Sequence, residues 1–162
     1  ALLRNDGFDV RIEICGSPFA GYEWFEDEIR RRAQQPDLEG AVTFSGYVNP
    51  TWDALARAHV VIAPSLGESL GNAVIEAQFA LRPVVATGLQ GHLETVQDGR
   101  TGLLVPAQNP AAVAAAVRRL MADRDLAAQL ASAARKAALS RFTIARYRSE
   151  LVSIVERLAG GR

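Results

Sequence analysis

Residues 60–87 read VVIAPSLGESLGNAVIEAQFALRPVVAT, and this stretch decides the fold of the chain. Residues 60–64 form a short apolar run rich in β-branched side chains, which predicts a fully buried parallel strand. A loop punctuated by glycine follows over residues 65–71, and residues 72–80 carry the apolar contacts of a helix. An Arg-Pro pair ends that helix, and residues 84–86 are the next buried strand. The stretch therefore predicts one strand–loop–helix–strand unit of a parallel sheet.

The loop of this unit has the features of an anion-binding site. A loop at the carboxyl end of a parallel strand opens onto the crevice where such sheets bind ligands. Gly67 and Gly71 allow the backbone to come close to a bulky group. The helix that we expect to begin near Asn72 points its unpaired amides and the positive end of its dipole at the crevice, which favours a phosphate.

Two glutamates, Glu68 and Glu76, stand eight residues apart around this helix start. Glu68 stays in the loop, while Glu76 lies about one turn into the helix with its side chain leaning back toward the N-terminus. If the whole span were helical, roughly 12 Å would separate them along the axis. The paired carboxylates of glycosidases are only about 5 to 9.5 Å apart. The spacing therefore favours two hydroxyl-binding groups that flank a diphosphate.

The segment ESLGNAVIEA at residues 68–77 resembles the E-x7-E signature of the retaining glycosyltransferases of family 4, the glycosyl transferases group 1. The signature alone is a weak pattern. Four further segments follow the order and spacing of the family, which makes the resemblance strong: VTFSGYV at residues 42–48, APS at residues 63–65, PVVAT at residues 83–87 and ETVQDGRTGLLVP at residues 94–106.

The resemblance implies an α/β fold, in which a Rossmann-like parallel sheet flanked by helices forms half of a GT-B enzyme and two or three C-terminal helices follow. We expect residues 1–162 to be a single nucleotide-sugar-binding domain and a truncated C-terminal GT-B domain. Its α/β core would cover residues 1–142, and its C-terminal helix would cover residues 143–158. In the family, an N-terminal acceptor-binding domain and an Arg–Lys pair that clamps the donor diphosphate complete the enzyme, and neither is in this chain.

The resemblance also implies a role for each matching residue in moving a sugar, with retention, from a nucleoside-diphosphate sugar to an acceptor. Glu76 would accept hydrogen bonds from the ribose hydroxyls. Glu68 would accept them from hydroxyls of the donor sugar and is the candidate catalytic residue. Carboxylates suit this task because they accept bidentately from vicinal diols. The other candidate donor-binding residues are Ser69, Leu70, Gly71, Asn72, Tyr47, Val48 and Gly16.

Several of these residues have simpler explanations. A glutamate like Glu76, met in isolation, is best explained as a surface acid stabilised by the helix dipole, and the surrounding match is what favours binding. Tyr47 is explained equally well as a side chain that covers the end of the sheet. His92 follows the pair Gln90–Gly91, where the family usually has two glycines, and we expect it to be a solvent-exposed cap.

The expected partners follow from the same resemblance. They are a nucleotide-sugar donor and the missing acceptor-binding domain, with no metal cofactor. The net charge is zero, with 18 basic and 18 acidic residues, which argues against nucleic-acid binding. No apolar run reaches the length of a membrane span, so peripheral membrane contact is an expectation for the parent enzyme only. The apolar stripe of the last helix is a candidate surface for self-association.

The single cysteine, Cys15, is compatible with a reducing compartment. We expect the protein to be cytoplasmic, with the parent enzyme at the inner face of the membrane.

Other functions fit the sequence less well. The leading alternative is a non-catalytic nucleotide- or sugar-binding module of the same fold, and we expect the isolated chain to have negligible transfer activity. A receiver-type signalling domain would need an acidic cluster at the strand ends, which is absent from the sequence. A P-loop NTPase is excluded because the loop lacks the Lys-Ser/Thr ending of that motif.

Overall fold

The computed structural model describes residues 1–160, and the chain divides into two compact units, Ala1–Arg57 and Ala58–Arg162. Each unit contains a parallel sheet with helices, so the α/β class predicted from the sequence is confirmed. The strands form two sheets, one in each unit. The prediction that residues 1–162 make a single domain stays a prediction.

The first unit is built on two parallel strands. Its elements are α1 (Leu2–Asn5), β1 (Ile12–Cys15), α2 (Glu23–Ala33), β2 (Val42–Gly46) and α3 (Trp52–Arg57). Strands β1 and β2 pair in parallel, with an irregularity in register between Ile14 and Cys15. The buried apolar side chains of this unit are Leu38, Ala41 and Leu55.

The second unit holds a three-stranded parallel sheet. Its elements are β3 (Val61–Ala63), α4 (Asn72–Phe79), β4 (Val84–Thr87), α5 (Gln90–Thr95), β5 (Leu103–Val105), α6 (Pro110–Ala122), α7 (Arg124–Arg141) and α8 (Ile144–Gly160). The strand order is β3-β4-β5, so β4 is central. All four residues of β4 are buried, as expected for a strand covered on both faces.

The strand–loop–helix–strand unit predicted from residues 60–87 is present as β3, α4 and β4. The prediction that its first strand is fully buried is wrong: β3 lies at an edge of its sheet, and Ile62 is 39% exposed. Helix α4 packs against α7, where buried alanines allow the two helices to approach closely: Ala131, Ala134 and Ala138. Arg135 adds a hydrogen bond from its guanidinium to the carbonyl oxygen of Phe79, at 2.9 Å. The packing therefore fixes α4, and with it the loop that precedes α4, on the sheet.

Two local differences from the sequence predictions concern the helices. The sequence of residues 94–99 by itself predicts a short helical turn that opens at Glu94 and ends at Asp98-Gly99, whereas the helix runs from Gln90 to Thr95. The last helix runs from Ile144 to Gly160, so it begins one residue later and ends two residues later than predicted.

The last helix, α8, buries none of its side chains. Its apolar residues Tyr147, Leu151 and Val155 are exposed, so the apolar stripe predicted for this helix is uncovered in the structure. No helix within residues 1–160 is both long enough and apolar enough to cross a membrane.

Candidate functional site

Six of the predicted site residues lie together in the second unit, between the end of β3 and the middle of α4. They are Glu68, Ser69, Leu70, Gly71, Asn72 and Glu76. Ser69 and Asn72 are exposed, and Leu70 is exposed to 41%. The loop therefore presents an accessible surface at the carboxyl ends of the parallel strands, where the sequence placed it.

Gly71 forms the N-cap of α4. It has a left-handed backbone, with φ 87° and ψ 56°, and no side chain caps the helix. Its carbonyl oxygen accepts hydrogen bonds from the amides of Val74 and Ile75, at 3.0 and 3.1 Å. A helix start without a side-chain cap can receive an acceptor from a ligand, and the dipole makes a negatively charged acceptor favourable.

Glu68 is held at both of its peptide groups by the start of α5. Its backbone N–H donates to the side-chain Oε1 of Gln90 at 2.8 Å. Its carbonyl oxygen accepts from the backbone N–H of Gly91, also at 2.8 Å. The carboxylate Oε1 accepts from the amide of Leu70 at 3.4 Å, a long hydrogen bond. The backbone of Glu68 is thus clamped, while its side chain is only weakly held.

Only glycine fits at position 91, because the backbone of the loop lies so close to it. A Cβ carbon at position 91 would lie 2.4 Å from the nitrogen of Leu70 and 2.5 Å from its Cα. No side chain fits there unless the loop moves. Gly91 is the second glycine of the Gly-Gly pair that is usual in the resembling family. This chain keeps it because a side chain there would collide with the loop.

His92 is fully buried, so the expectation that it is a solvent-exposed cap is wrong. Its ring lies beside Gly71, where a Cβ carbon would be 3.0 Å from the ring Cδ2. The lack of a side chain on Gly71 makes the room that the imidazole occupies. The ring therefore packs directly beside the start of α4.

The contacts of the His92 ring indicate that its Nδ1 donates a hydrogen bond. The ring Nδ1 lies 3.0 Å from the carbonyl oxygen of Thr87, and because a carbonyl only accepts, Nδ1 carries the proton. The hydroxyl of Thr87 in turn donates to the carbonyl oxygen of Ser65 at 2.8 Å. The other ring nitrogen, Nε2, is buried and has no hydrogen-bond partner among the described residues. The hydrogen bond between Thr87 and Ser65 joins the end of β4 to the end of β3 beneath the loop.

Glu76 is the fifth residue of α4 and is half-buried between Ile75 and Ala77, which are both buried. Its place about one turn into the helix is the one expected from the sequence. The shared role of Glu68 and Glu76 in holding a donor stays a prediction.

The remaining candidates, Gly16, Tyr47 and Val48, belong to the first unit. Gly16 follows β1 and donates its N–H to the carbonyl oxygen of Gly46 at 2.6 Å. This hydrogen bond brings Gly16 close to Tyr47 and Val48, which follow β2. Tyr47 is exposed to 77%, so it does not pack over the sheet as a buried cover. The donor-binding role of all three stays a prediction.

Charge in the first unit gathers near the end of β1. Arg57 and Ser45 both donate to Glu13, and these hydrogen bonds lower the pKa of its carboxyl. Cys15 is exposed, but partial desolvation and the nearby carboxylate of Glu13 raise the pKa of its thiol, which argues against a reactive thiolate. Within residues 1–160, no group of three or more His, Cys, Asp or Glu side chains is arranged to hold a metal ion.

Sequence reasoning missed two residues, Gln90 and the buried His92, that contact the loop. The signal for Gln90 was its position, since it replaces a glycine of the resembling family. No local signal marks His92 as buried, because its burial depends on Gly71, which is 21 residues away in the chain.

The sequence matches the family described as glycosyl transferases group 1 over residues 1–123. Among curated relatives, the D-inositol 3-phosphate glycosyltransferase of Streptomyces avermitilis is 42% identical over 140 residues, which cover 83% of this chain and 30% of the relative. The chain spans less than half of the length of the curated relatives it matches, 29% to 43% for three others.

Two solved structures are similar in fold. The first is HepE of Anabaena in complex with UDP-glucose, with a TM-score of 0.87 and 23% identity over 91% of this chain and 41% of that one. The second is the C-terminal domain of the glycosyl transferase group 1 family protein LpcC from Francisella tularensis. It has a TM-score of 0.69 and 17% identity over 83% of this chain and 87% of that domain.

Proposed function

This chain belongs to the glycosyl transferases group 1 family, and from that premise we propose that it is the donor-binding, C-terminal domain of a retaining GT-B glycosyltransferase of family 4. The parent enzyme would move a sugar from a nucleoside-diphosphate sugar to an acceptor. The observation that carries the proposal is the loop from Glu68 to Asn72, clamped on α5 and leading into a helix start with no side-chain cap.

The loop is suited to the diphosphate of a nucleotide sugar. The amides of Leu70, Gly71 and Asn72 lie at or just before the start of α4, where the dipole favours negative charge. A departing nucleoside diphosphate gains negative charge in the transition state, and fixed amides stabilise such charge without reorganising. The domain would therefore assist the departure of the leaving group.

The two glutamates would hold the two ends of the donor. Glu76, inside the helix, would accept hydrogen bonds from the ribose hydroxyls, and Glu68, in the loop, from hydroxyls of the donor sugar. The acceptor would attack from the face that the nucleotide leaves, which retains the configuration. Gly16, Tyr47 and Val48 would contribute to binding of the base.

A hexose on a uridine diphosphate is a reasonable first donor to test. The structure of HepE with UDP-glucose supports this choice through its similar fold. The placement in the C-terminal half is supported by the similar fold of the LpcC C-terminal domain. No metal is assigned to the reaction.

For the isolated chain we propose donor binding without transfer, because acceptor binding in this family belongs to the other domain. The alternative function, a non-catalytic nucleotide- or sugar-binding module, makes the same prediction for the isolated chain: it binds its ligand and transfers no sugar. The parent enzyme is proposed to be cytoplasmic, at the inner face of the membrane, and the exposed stripe of α8 is proposed as its surface for self-association.

Thermal stabilisation by ligands tests the proposal. The chain is heated with UDP, GDP and ADP and with the corresponding glucose derivatives, because a ligand that binds the folded state raises the melting temperature. We expect one nucleotide series to stabilise the chain and Glu76→Ala to abolish that effect. Glu156→Ala, on exposed α8, is the matched control and should respond like the original chain. If no nucleotide or nucleotide sugar stabilises the chain, the proposed function is wrong.

A further inference from the structure

Gln90, the first residue of α5, has a backbone that is unusual for its residue type. Its φ is 42°, in the left-handed region that glycine adopts freely and other residues adopt at a cost. Gln90 is also exposed, so it is not kept there by packing in a core. A residue that is strained and exposed needs another physical reason, and its side chain supplies one.

The side chain of Gln90 is an acceptor for the candidate catalytic residue. Its Oε1 lies 2.8 Å from the backbone nitrogen of Glu68. A backbone N–H can only donate, so the amide oxygen and not the amide nitrogen faces Glu68. A glycine at position 90 would relieve the backbone but could not make this bond.

The next residue completes the clamp. Gly91 donates its N–H to the carbonyl oxygen of Glu68 at 2.8 Å. The two peptide groups on either side of the Glu68 Cα are therefore both bonded to α5. These two bonds fix the backbone atoms that carry the Glu68 side chain. The carboxylate itself makes only a long hydrogen bond with the amide of Leu70.

We infer that Gln90 is a positioning residue for Glu68, and that it determines how well the site recognises the sugar portion of the donor. The inference rests on the proposed function, in which Glu68 binds hydroxyls of the donor sugar and Glu76 binds the ribose. The hydrogen bond of the Gln90 side chain is to Glu68 and not to Glu76. Its effect should therefore fall on the sugar and leave the nucleotide portion unchanged.

A structural role for Gln90 would give a different pattern. Its hydrogen bond is exposed, and water competes for such bonds, so its contribution to folding is small. If Gln90 only stabilised the loop, its loss would weaken UDP and UDP-glucose binding together, because both contact the start of α4.

Two variants separate the bond from the backbone strain. Gln90→Met keeps the length of the side chain and the left-handed backbone but has no carbonyl acceptor. Gln90→Gly also loses the acceptor but relieves the backbone. Gln90→Gly should therefore be at least as stable as Gln90→Met, while both should lose the same contact with Glu68.

The experiment measures by calorimetry the dissociation constants of UDP and UDP-glucose, or of the nucleotide and nucleotide-glucose pair that the thermal panel selects. The ratio of the two constants gives the gain in affinity from the attached sugar. We expect both Gln90 variants to lower this gain about tenfold, which corresponds to the loss of one hydrogen bond between the Glu68 carboxylate and the sugar. The affinity for the nucleotide should stay unchanged within about twofold.

Glu68→Ala provides the reference, because it removes the group that Gln90 positions. It should lower the gain at least as much, and combining it with Gln90→Met should cause no further loss, as expected for residues that act through one another. The inference is overturned if the gain is unchanged in the Gln90 variants, or if nucleotide and nucleotide-sugar affinities fall together with the melting temperature. A chain that binds none of the probes would overturn the proposed function itself, and the inference with it.

Discussion

The imidazole Nδ1 of His92 lies 3.0 Å from the carbonyl oxygen of Thr87, at the end of the central strand. The carbonyl already accepts from the amide of Leu89 at 2.9 Å, so the histidine adds a second bond to it. The opposite ring nitrogen is buried without a partner among the described residues. The same side chain thus makes one favourable polar contact and leaves one buried polar atom unsatisfied.

These opposing effects predict how substitutions at His92 change stability. His92→Leu loses one hydrogen bond but also removes the unsatisfied nitrogen, so the free energy of unfolding should change by less than about 1 kcal/mol. His92→Ala leaves a cavity beside Gly71 and should cost about 2 kcal/mol or more. Chemical denaturation of both variants measures the difference.

The assigned tautomer gives an independent check on the same residue. Nitrogen chemical shifts of the His92 ring should report a proton on Nδ1. A ring with no proton on Nδ1, or a loss in His92→Leu as large as in His92→Ala, would show that the ring makes a different set of hydrogen bonds.

Gly91 should tolerate no side chain. In Gly91→Ala the new methyl group would lie 2.4 Å from the nitrogen of Leu70, which forces the loop away from α5. We expect a loss of about 1–3 kcal/mol in the free energy of unfolding, typical of overpacking, together with weaker donor binding. Denaturation and calorimetry measure the two effects.

Gly88 is the matched control for this substitution. A Cβ carbon there would meet its nearest atoms at 3.7 Å, an ordinary contact, and Gly88 has no left-handed backbone. Gly88→Ala should therefore leave stability and binding nearly unchanged. Equal effects of the two substitutions would mean that the close contact at Gly91 is not what the loop depends on.

Glu13 should make the stability of the first unit depend on pH. The hydrogen bonds from Arg57 at 2.8 Å and Ser45 at 2.7 Å lower the pKa of its carboxyl in the folded state. A group with a lowered folded pKa stabilises the fold above its unfolded pKa, about 4.3 for glutamate, and this is lost as the pH falls through the folded value. The stability advantage over Glu13→Gln should be present at pH 6 and vanish in acid.

The pKa of Glu13 can be read directly from the carboxyl carbon shift during an acid titration. Because Arg57 is the largest cause of the lowered pKa, Arg57→Ala should raise it toward the ordinary value. High salt should shrink the effect, since the ion pair is exposed. An unchanged Glu13 titration in Arg57→Ala would remove the basis for the predicted pH dependence.

The sequence was a good guide wherever the signal was local. Apolar β-branched runs predicted the positions of β3 and β4, although only β4 is fully buried. Asn109 followed by proline is likewise a local signal for the start of α6, and the Asn109 side chain accepts from the N–H of Ala112 at 3.0 Å. These features depend on neighbouring residues in the chain, so composition and spacing reveal them. The ordered motifs also identified the family over most of the chain.

The sequence was a poor guide to the underside of the loop. His92 was expected at the surface and is buried, and Gln90 was noted only as a departure from a glycine pair. Both contact a loop about 20 residues earlier in the chain, which lies beside them because β3 and β4 pair in parallel.

The sequence by itself determined the α/β class, the strand–loop–helix–strand unit and the family, because hydrophobic runs, glycines, prolines and ordered motifs are written along the chain. Only the tertiary structure decided that α5 clamps Glu68 and that His92 fills the space beside Gly71. Parallel strands place the loops that follow them side by side at one edge of the sheet, and which atoms then meet depends on packing between segments that no local pattern connects.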